Sequence, residues 1–130
     1  MKRKERDVEY TEQEAWVDLG NLGFPFFRTG SREICSPPPM DTDADFVVLD
    51  LKGNGTYEKN GFTLTTKEDL EEYGNSDFYT YRRGEVNLIV VSTWDQFKAW
   101  RAATASAKQM NLKDKSKRIA LFQGILYGNW

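Results

Sequence analysis

Asp43-Ala44-Asp45-Phe46-Val47-Val48-Leu49 is the stretch on which the reading of this chain turns, with Arg28-Thr29-Gly30-Ser31 ahead of it across a proline-rich detour. Successive side chains of an extended chain point to opposite faces, so Asp43 and Asp45 project from one face at the start of a strand, close enough to hold a divalent cation together. The near-continuous apolar run predicts a strand over Asp43 to Leu51 that is buried on both faces. Gly30 lets backbone approach a ligand closely, Ser31 offers a hydroxyl and an N–H, and such a turn directs donors at phosphate oxygens. Hard oxygen ligands at this spacing suit Mg²⁺ or Mn²⁺, and Mg²⁺ usually binds through one or two carboxylates plus substrate phosphates. A phosphate cradle beside a carboxylate pair points to phosphoryl or nucleotidyl chemistry.

Asp41, Asp43 and Asp45 also invite comparison with a calcium-binding loop, which needs Gly at its sixth position and Glu at its twelfth. Counting from Asp41, Phe46 and Lys52 stand there instead, so that reading fails. Asp41 is left as an accessory ligand or a simple turn aspartate. The triplet Pro37-Pro38-Pro39 reads as a rigid spacer rather than a ligand for a proline-recognition domain.

Composition narrows the function classes. A chain of 130 residues predicts one domain over 1–130, with room for a single core and none for a separate substrate domain. The formal net charge of -2 argues against holding nucleic acid by bulk electrostatics and leaves only local basic patches, at 1–6, at Arg28 and Arg32, at Arg82-Arg83 and over 113–118. With no histidine in the chain, Ser/His/Asp triads, Cys/His nucleophiles and His-ligated zinc are excluded. The one cysteine, Cys35, forms no internal disulfide and fits a reducing compartment, where it reads as a small buried or loop residue. No apolar run reaches membrane-spanning length and no signal peptide is expected, so the predicted location is cytoplasmic, in the host cytoplasm if the chain is phage-encoded.

The flanking elements follow from local pattern. Thr11 with Glu14 forms a capping signal that opens a helix to about Leu19, with Ala15, Trp16 and Leu19 on its apolar side and Gly20 and Gly23 ending it. Phe24 to Arg28 is the first strand, delivering Gly30-Ser31 at its end, and 31–35 is a short helix that the prolines stop. Residues 52–55 form a turn, 56–65 a weak strand or irregular loop, and Thr66-Lys67-Glu68-Asp69 opens a helix ending near Tyr73-Gly74. Phe78 to Arg82 and Val86 to Val91 form a tight hairpin through Arg83-Gly84-Glu85. Ser92-Thr93 caps a helix from about Trp94 to Met110, with Trp94, Phe97, Trp100, Ala103, Ala107 and Met110 on its apolar stripe. A last helix, about Lys115 to Tyr127, offers Ile119, Phe122, Ile125 and Leu126 to the same core and ends at Gly128. The sum is an α/β (α+β) chain, a small mixed sheet covered by helices.

These residues resemble the signature of the polymerase-beta-type nucleotidyltransferase superfamily: a strand, a Gly-Ser turn, then Asp-apolar-Asp-apolar opening the next strand, here Gly30-Ser31 and Asp43-Ala44-Asp45-Phe46. The stretches 81–91 and 118–128 are similar to small nucleotidyltransferase-like proteins encoded by bacteriophages. The resemblance implies a minimal nucleotidyltransferase fold that binds NTP with Mg²⁺ or Mn²⁺. It would move an NMP to an RNA, protein or small-molecule hydroxyl and release pyrophosphate. On that reading Asp43 and Asp45 are the catalytic and metal residues, in a two-metal scheme. Gly30 and Ser31 bind the β- and γ-phosphates with Arg28 and Arg32 beside them, and Arg82 and Arg83 reach phosphate or acceptor. The family's third strand carries a third carboxylate in an apolar-Asp-apolar context. Val86-Asn87-Leu88 occupies it here, and an amide is neither a base nor as good a Mg²⁺ ligand. Glu85 is expected to face away from Asn87 and to recover that role only if the hairpin carries a bulge. The rival expectation is therefore a catalytically impaired relative that binds NTP or a protein partner, in an antitoxin-like or phage regulatory role. The sequence leaves the oligomeric state open.

Overall fold

The computed structural model describes residues 10–38, 43–53, 55–65 and 78–127. In chain order these form α1 (Glu12–Leu22), β1 (Phe26–Thr29), α2 (Gly30–Ile34), β2 (Ala44–Leu49), β3 (Thr63–Leu64), β4 (Phe78–Arg83), β5 (Val86–Val91), α3 (Trp94–Gln109) and α4 (Lys115–Tyr127), with a 3₁₀ turn at Glu58–Asn60. The strands make one open sheet in the order β1-β2-β5-β4-β3, flanked by the helices. β2 and β5 run parallel at its centre, and every other pairing is antiparallel. The expected mixed sheet covered by helices is what the chain builds.

Alternation along the central strands explains the two-sided core. Val47 and Leu49 of β2 and Ile89 and Val91 of β5 face one layer, where they pack with Phe97, Trp100, Ala103 and Ala107 of α3 and Phe122 of α4. Ala44, Phe46 and Val48, with Val86, Leu88 and Val90, face the other layer under α1, closed by Ala15, Leu19, Tyr10, Tyr57 and Phe62. Fully burying an aliphatic or aromatic side chain contributes roughly 1.5–3 kcal/mol, so the two central strands anchor the whole sheet. Both layers are tied off by caps. Thr11 Oγ1 accepts from Glu14 N–H at the start of α1, and Gly23, in the left-handed region at φ 78°, ends it. Thr93 and Gln96 form a reciprocal capping box at the start of α3.

Several expectations are corrected in detail. α1 continues through Gly20 and stops at Leu22, three residues later than expected, because Gly23 supplies the terminating conformation. Trp94 and Met110 do not join the buried stripe of α3; both are exposed, since the sheet underlies the helix only from Phe97 to Ala107. Trp16 is half exposed and lies edge-on to Phe26 at 4.9 Å instead of entering the core. On α4 it is Phe122 that is buried, with Leu121, Ile125 and Leu126 partly buried against the same cluster. The weak strand expected within 56–65 reduces to the two residues of β3 on the sheet edge. The helix expected from Thr66, the turn residue Asp41 and the stop at Gly128 lie outside the described residues. Among the described residues no helix is long and apolar enough to cross a membrane.

Candidate functional site

The sheet register assembles the site. Thr29 of β1 pairs with Asp45 of β2, Asp45 with Asn87 of β5, Asn87 with Arg82 of β4, and Arg82 with Thr63 of β3. One row across the sheet therefore carries a hydroxyl, a carboxylate, an amide and a guanidinium side by side. Cross-strand partners on one face hold their Cβ atoms about 4.5–5.5 Å apart, within reach of polar side chains. Asp43, one residue before β2, stands on the same face as Asp45 and joins this row.

The floor of the row is fixed from below. Thr29 is buried, and its hydroxyl lies 2.7 Å from Thr104 Oγ1 on α3. Thr104 donates to the Trp100 carbonyl at 2.8 Å, so its single proton is committed and Thr29 is the donor between them. This pins the end of β1 to α3 at the point where the chain turns into α2. Gly30 makes that turn at φ 75°, a conformation that disfavours any residue with a side chain. A Cβ at Gly30 would collide with Asp45 Oδ2 and stand 2.8 Å from its Cγ. The expectation that Gly30 admits a close approach thus has a concrete partner within the chain: the space its missing side chain leaves holds the Asp45 carboxylate.

Above this floor the polar groups close on one another. Asn87 Nδ2 donates to Asp45 Oδ1 at 2.9 Å and lies 3.4 Å from Asp43 Oδ2. Arg82 Nη2 donates to Asp43 Oδ1 at 2.6 Å while its Nη1 donates to Asn87 Oδ1 at 2.9 Å. The guanidinium fork thus spans a carboxylate and the amide oxygen, and the amide nitrogen spans both carboxylates. Asp43 and Arg82 keep 40% and 38% of their side-chain surface exposed, so solvent and solutes reach this cluster. Among the described residues no group of three or more His, Cys, Asp and Glu side chains is gathered as a metal-holding cluster, in keeping with an amide at position 87.

The other candidate residues distribute around this row. Ser31 lies half-buried in the first turn of α2, its carbonyl accepting from Cys35 N–H. Arg28 falls on the opposite face of β1, opposite Phe46 in register, where it pairs with Glu12 and lies over the Trp16 ring. Arg83 also points to that face, stacking 4.0 Å above the Tyr10 ring centroid and donating to the Asn60 carbonyl. Neither joins Asp43 and Asp45. Arg32 crosses the end of the sheet, donating to Glu85 at 2.8 Å and approaching Glu12 at 3.5 Å. The Glu85 hydrogen bond is the main reason its guanidinium is held more firmly protonated than usual.

Glu85 goes to Arg32 at 2.8 Å, and the expected reason for its turning from Asn87 does not hold. Residues two apart in a strand share a face, so alternation does not turn Glu85 from Asn87. The hairpin register is regular, with Gly84 and Glu85 forming a two-residue turn and Gly84 at φ 58°. Glu85 sits beyond the ladder, and its carboxylate goes to Arg32. Cys35 is buried against the Leu112 carbonyl and Arg118, in line with a structural role.

Sequence reasoning placed Arg82 at the site only as a phosphate or acceptor contact and missed its hold on Asp43. A signal was available: reading the turn as Gly84-Glu85 alone pairs Arg83 with Val86 and hence Arg82 with Asn87. Comparison with protein-family models, with curated proteins and with solved structures finds no match to this chain.

Proposed function

We propose that this chain is a nucleotidyltransferase-type protein that binds a nucleoside triphosphate with a divalent cation at Asp43 and Asp45 and transfers the NMP to a hydroxyl acceptor. The observation that carries the reading is the row Thr29–Asp45–Asn87–Arg82 with Gly30 folded against Asp45. The two carboxylates share a face beside a glycine turn, in the order that the resemblance implies. RNA, protein and small-molecule hydroxyls are the acceptor classes.

The donor set suits a hard cation. Two carboxylates are enough to hold Mg²⁺ or Mn²⁺ when phosphate oxygens complete the shell. The carboxylates draw positive charge, as the Arg82 guanidinium on Asp43 shows, and a cation binding there has to compete with that guanidinium. With an amide in place of a third acid, the set fits one ion rather than two. When bound, that ion supplies charge neutralisation to the triphosphate and lowers the pKa of an oxygen it touches.

The residues of the chain have their own roles in this reading. The Asp45 carboxylate occupies the space beside Gly30 and accepts from the Asn87 amide, which orients it. Arg82 stands on Asp43 with positive charge suited to phosphate oxygens, while Arg32 is paired with Glu85 and Glu12.

A second reading is favoured by Asn87. Its amide donates toward both carboxylates, satisfying them without a cation, as in a protein that binds NTP or a protein partner without turnover.

Label transfer from each α-labelled NTP, with Mg²⁺ or Mn²⁺ and with total bacterial RNA or cell lysate as acceptor, separates the two readings. Transfer abolished by Asp43→Asn/Asp45→Asn is the expected outcome. NTP binding with no transfer to any acceptor would select the second reading, and no NTP binding would overturn the first and leave only the protein-partner form of the second.

A further inference from the structure

Among the described residues Arg82 sets its guanidinium on the carboxylate pair, and its two contacts there are directed differently. One Nη holds Asp43 Oδ1 at 2.6 Å and the other holds the Asn87 amide oxygen at 2.9 Å. Arg32, by contrast, is engaged with Glu85 and Glu12, and Arg28 and Arg83 are on the opposite face. A guanidinium and a divalent cation bound to one carboxylate repel each other strongly at contact distance. Occupation of Asp43 by a cation therefore opposes the Arg82 contact, and the Arg82 contact opposes the cation. A triphosphate changes the balance, because its oxygens accept a guanidinium fork at least as well as one carboxylate does.

We propose that Arg82 is the resident counter-ion of this site, competing with a divalent cation for Asp43 and releasing it when a triphosphate offers a stronger anionic partner. The inference rests on the nucleotide-binding reading above and adds regulation to it. Cation and triphosphate then bind cooperatively, each raising the affinity for the other by the same factor. Without nucleotide the carboxylates stay neutralised by Arg82 and the site holds cation weakly.

The direct probe is Mn²⁺ alone, its free concentration read by electron paramagnetic resonance, titrated into wild type and Arg82→Gln at low salt without nucleotide. Arg82→Gln is expected to bind Mn²⁺ about tenfold more tightly, the scale of a partly exposed ion pair lost together with a like charge removed. Adding Asp43→Asn to that variant returns the affinity to wild type or below. Arg82→Lys, which keeps the charge but not the fork, falls between the two and serves if Arg82→Gln does not fold. Equal Mn²⁺ affinity in wild type and both Arg82 variants overturns the inference. A parallel titration with α,β-methylene-ATP separates it from the reading beneath it. Tighter Mn²⁺ binding by Arg82→Gln with no analogue bound by either protein supports Arg82 as counter-ion and overturns the nucleotidyltransferase reading. Analogue binding with unchanged Mn²⁺ affinity does the reverse.

Discussion

Strand β2 begins between Asp43 and Asp45 and runs out against Asp50, and the fold treats these aspartates in opposite ways. Asp50 is 2% exposed, and its Oδ2 accepts from the Gly55 N–H at 2.9 Å and the Tyr57 hydroxyl at 3.0 Å. Those donors belong to the loop that follows and are packed in place, so the carboxylate organises that loop and is closed to solutes. Asp43 and Asp45 stand half-exposed at the other end, met by a guanidinium on a flexible stem and by an amide. A bound group can take over such partners, whereas it cannot take over a buried hydroxyl such as that of Tyr57. Carboxylates alone do not mark a site; carboxylates whose partners are exchangeable do.

The largest expected effect lies at the closed end. Asp50→Ala strands the buried Tyr57 hydroxyl and takes the acceptor from the part-buried Gly55 N–H, at a cost of about 3 kcal/mol. Denaturant titration reads the loss, and triphosphate binding by the folded fraction is unchanged. A surface-like cost below about 0.5 kcal/mol would erase the distinction between the two ends.

Gly30→Ala comes next, at about 2 kcal/mol, from left-handed strain and the collision with Asp45. Here the comparison sharpens, because the substitution should remove cation binding as well as stability by moving the Asp45 carboxylate. Loss of stability with cation binding intact would separate Gly30 from the site.

Alkaline pH probes the closed end more gently. Burial, reinforced by the Asp50 carboxylate beside it, pushes the Tyr57 hydroxyl well above its ordinary value of 10.0. Tyr10 is raised the same way, by burial and by its hydrogen bond to Asp18. A group whose pKa is raised on folding gives stability that is complete below its unfolded value and lost as pH climbs toward the folded one. Stability should therefore hold to about pH 10 and fall above it. Tyr57→Phe should flatten that fall, measured as Tm against pH; an unchanged slope would place the alkaline loss elsewhere.

Much of the fold behind this contrast was legible in the sequence, for reasons that differ by element. β2 and β5 declare themselves because strands buried on both faces need continuous apolar runs, and α4 matches its expected bounds of Lys115 to Tyr127. The packing of Asp45 against Gly30 came only with the β1–β2 register, while the shared face of Asp43 and Asp45 followed from strand alternation. The partners of the pair did not, because Arg82 lies thirty-nine residues from Asp43 and reaches it only through the register of two strand pairings. The exposure of Trp94 and Met110 was hidden for a similar reason: helical periodicity says which face is apolar but not how far the sheet extends beneath it. Asp50 fell inside the expected strand, Asp43 to Leu51, and was not singled out. Its role as a loop anchor depends on Tyr57 folding back from seven residues away.

The most direct test of the account sets the two ends of β2 against each other in one calorimetric series. Mn²⁺ with α,β-methylene-ATP is titrated into wild type, Asp43→Asn/Asp45→Asn and Asp50→Asn, each checked for folding by its melting curve. The account predicts that the double variant melts within about 1 kcal/mol of wild type, as expected for half-exposed polar contacts, and loses binding. Asp50→Asn should melt earlier and bind like wild type. Binding retained by the double variant, or lost only in Asp50→Asn, would contradict the assignment of the site to the Asp43–Asp45 end.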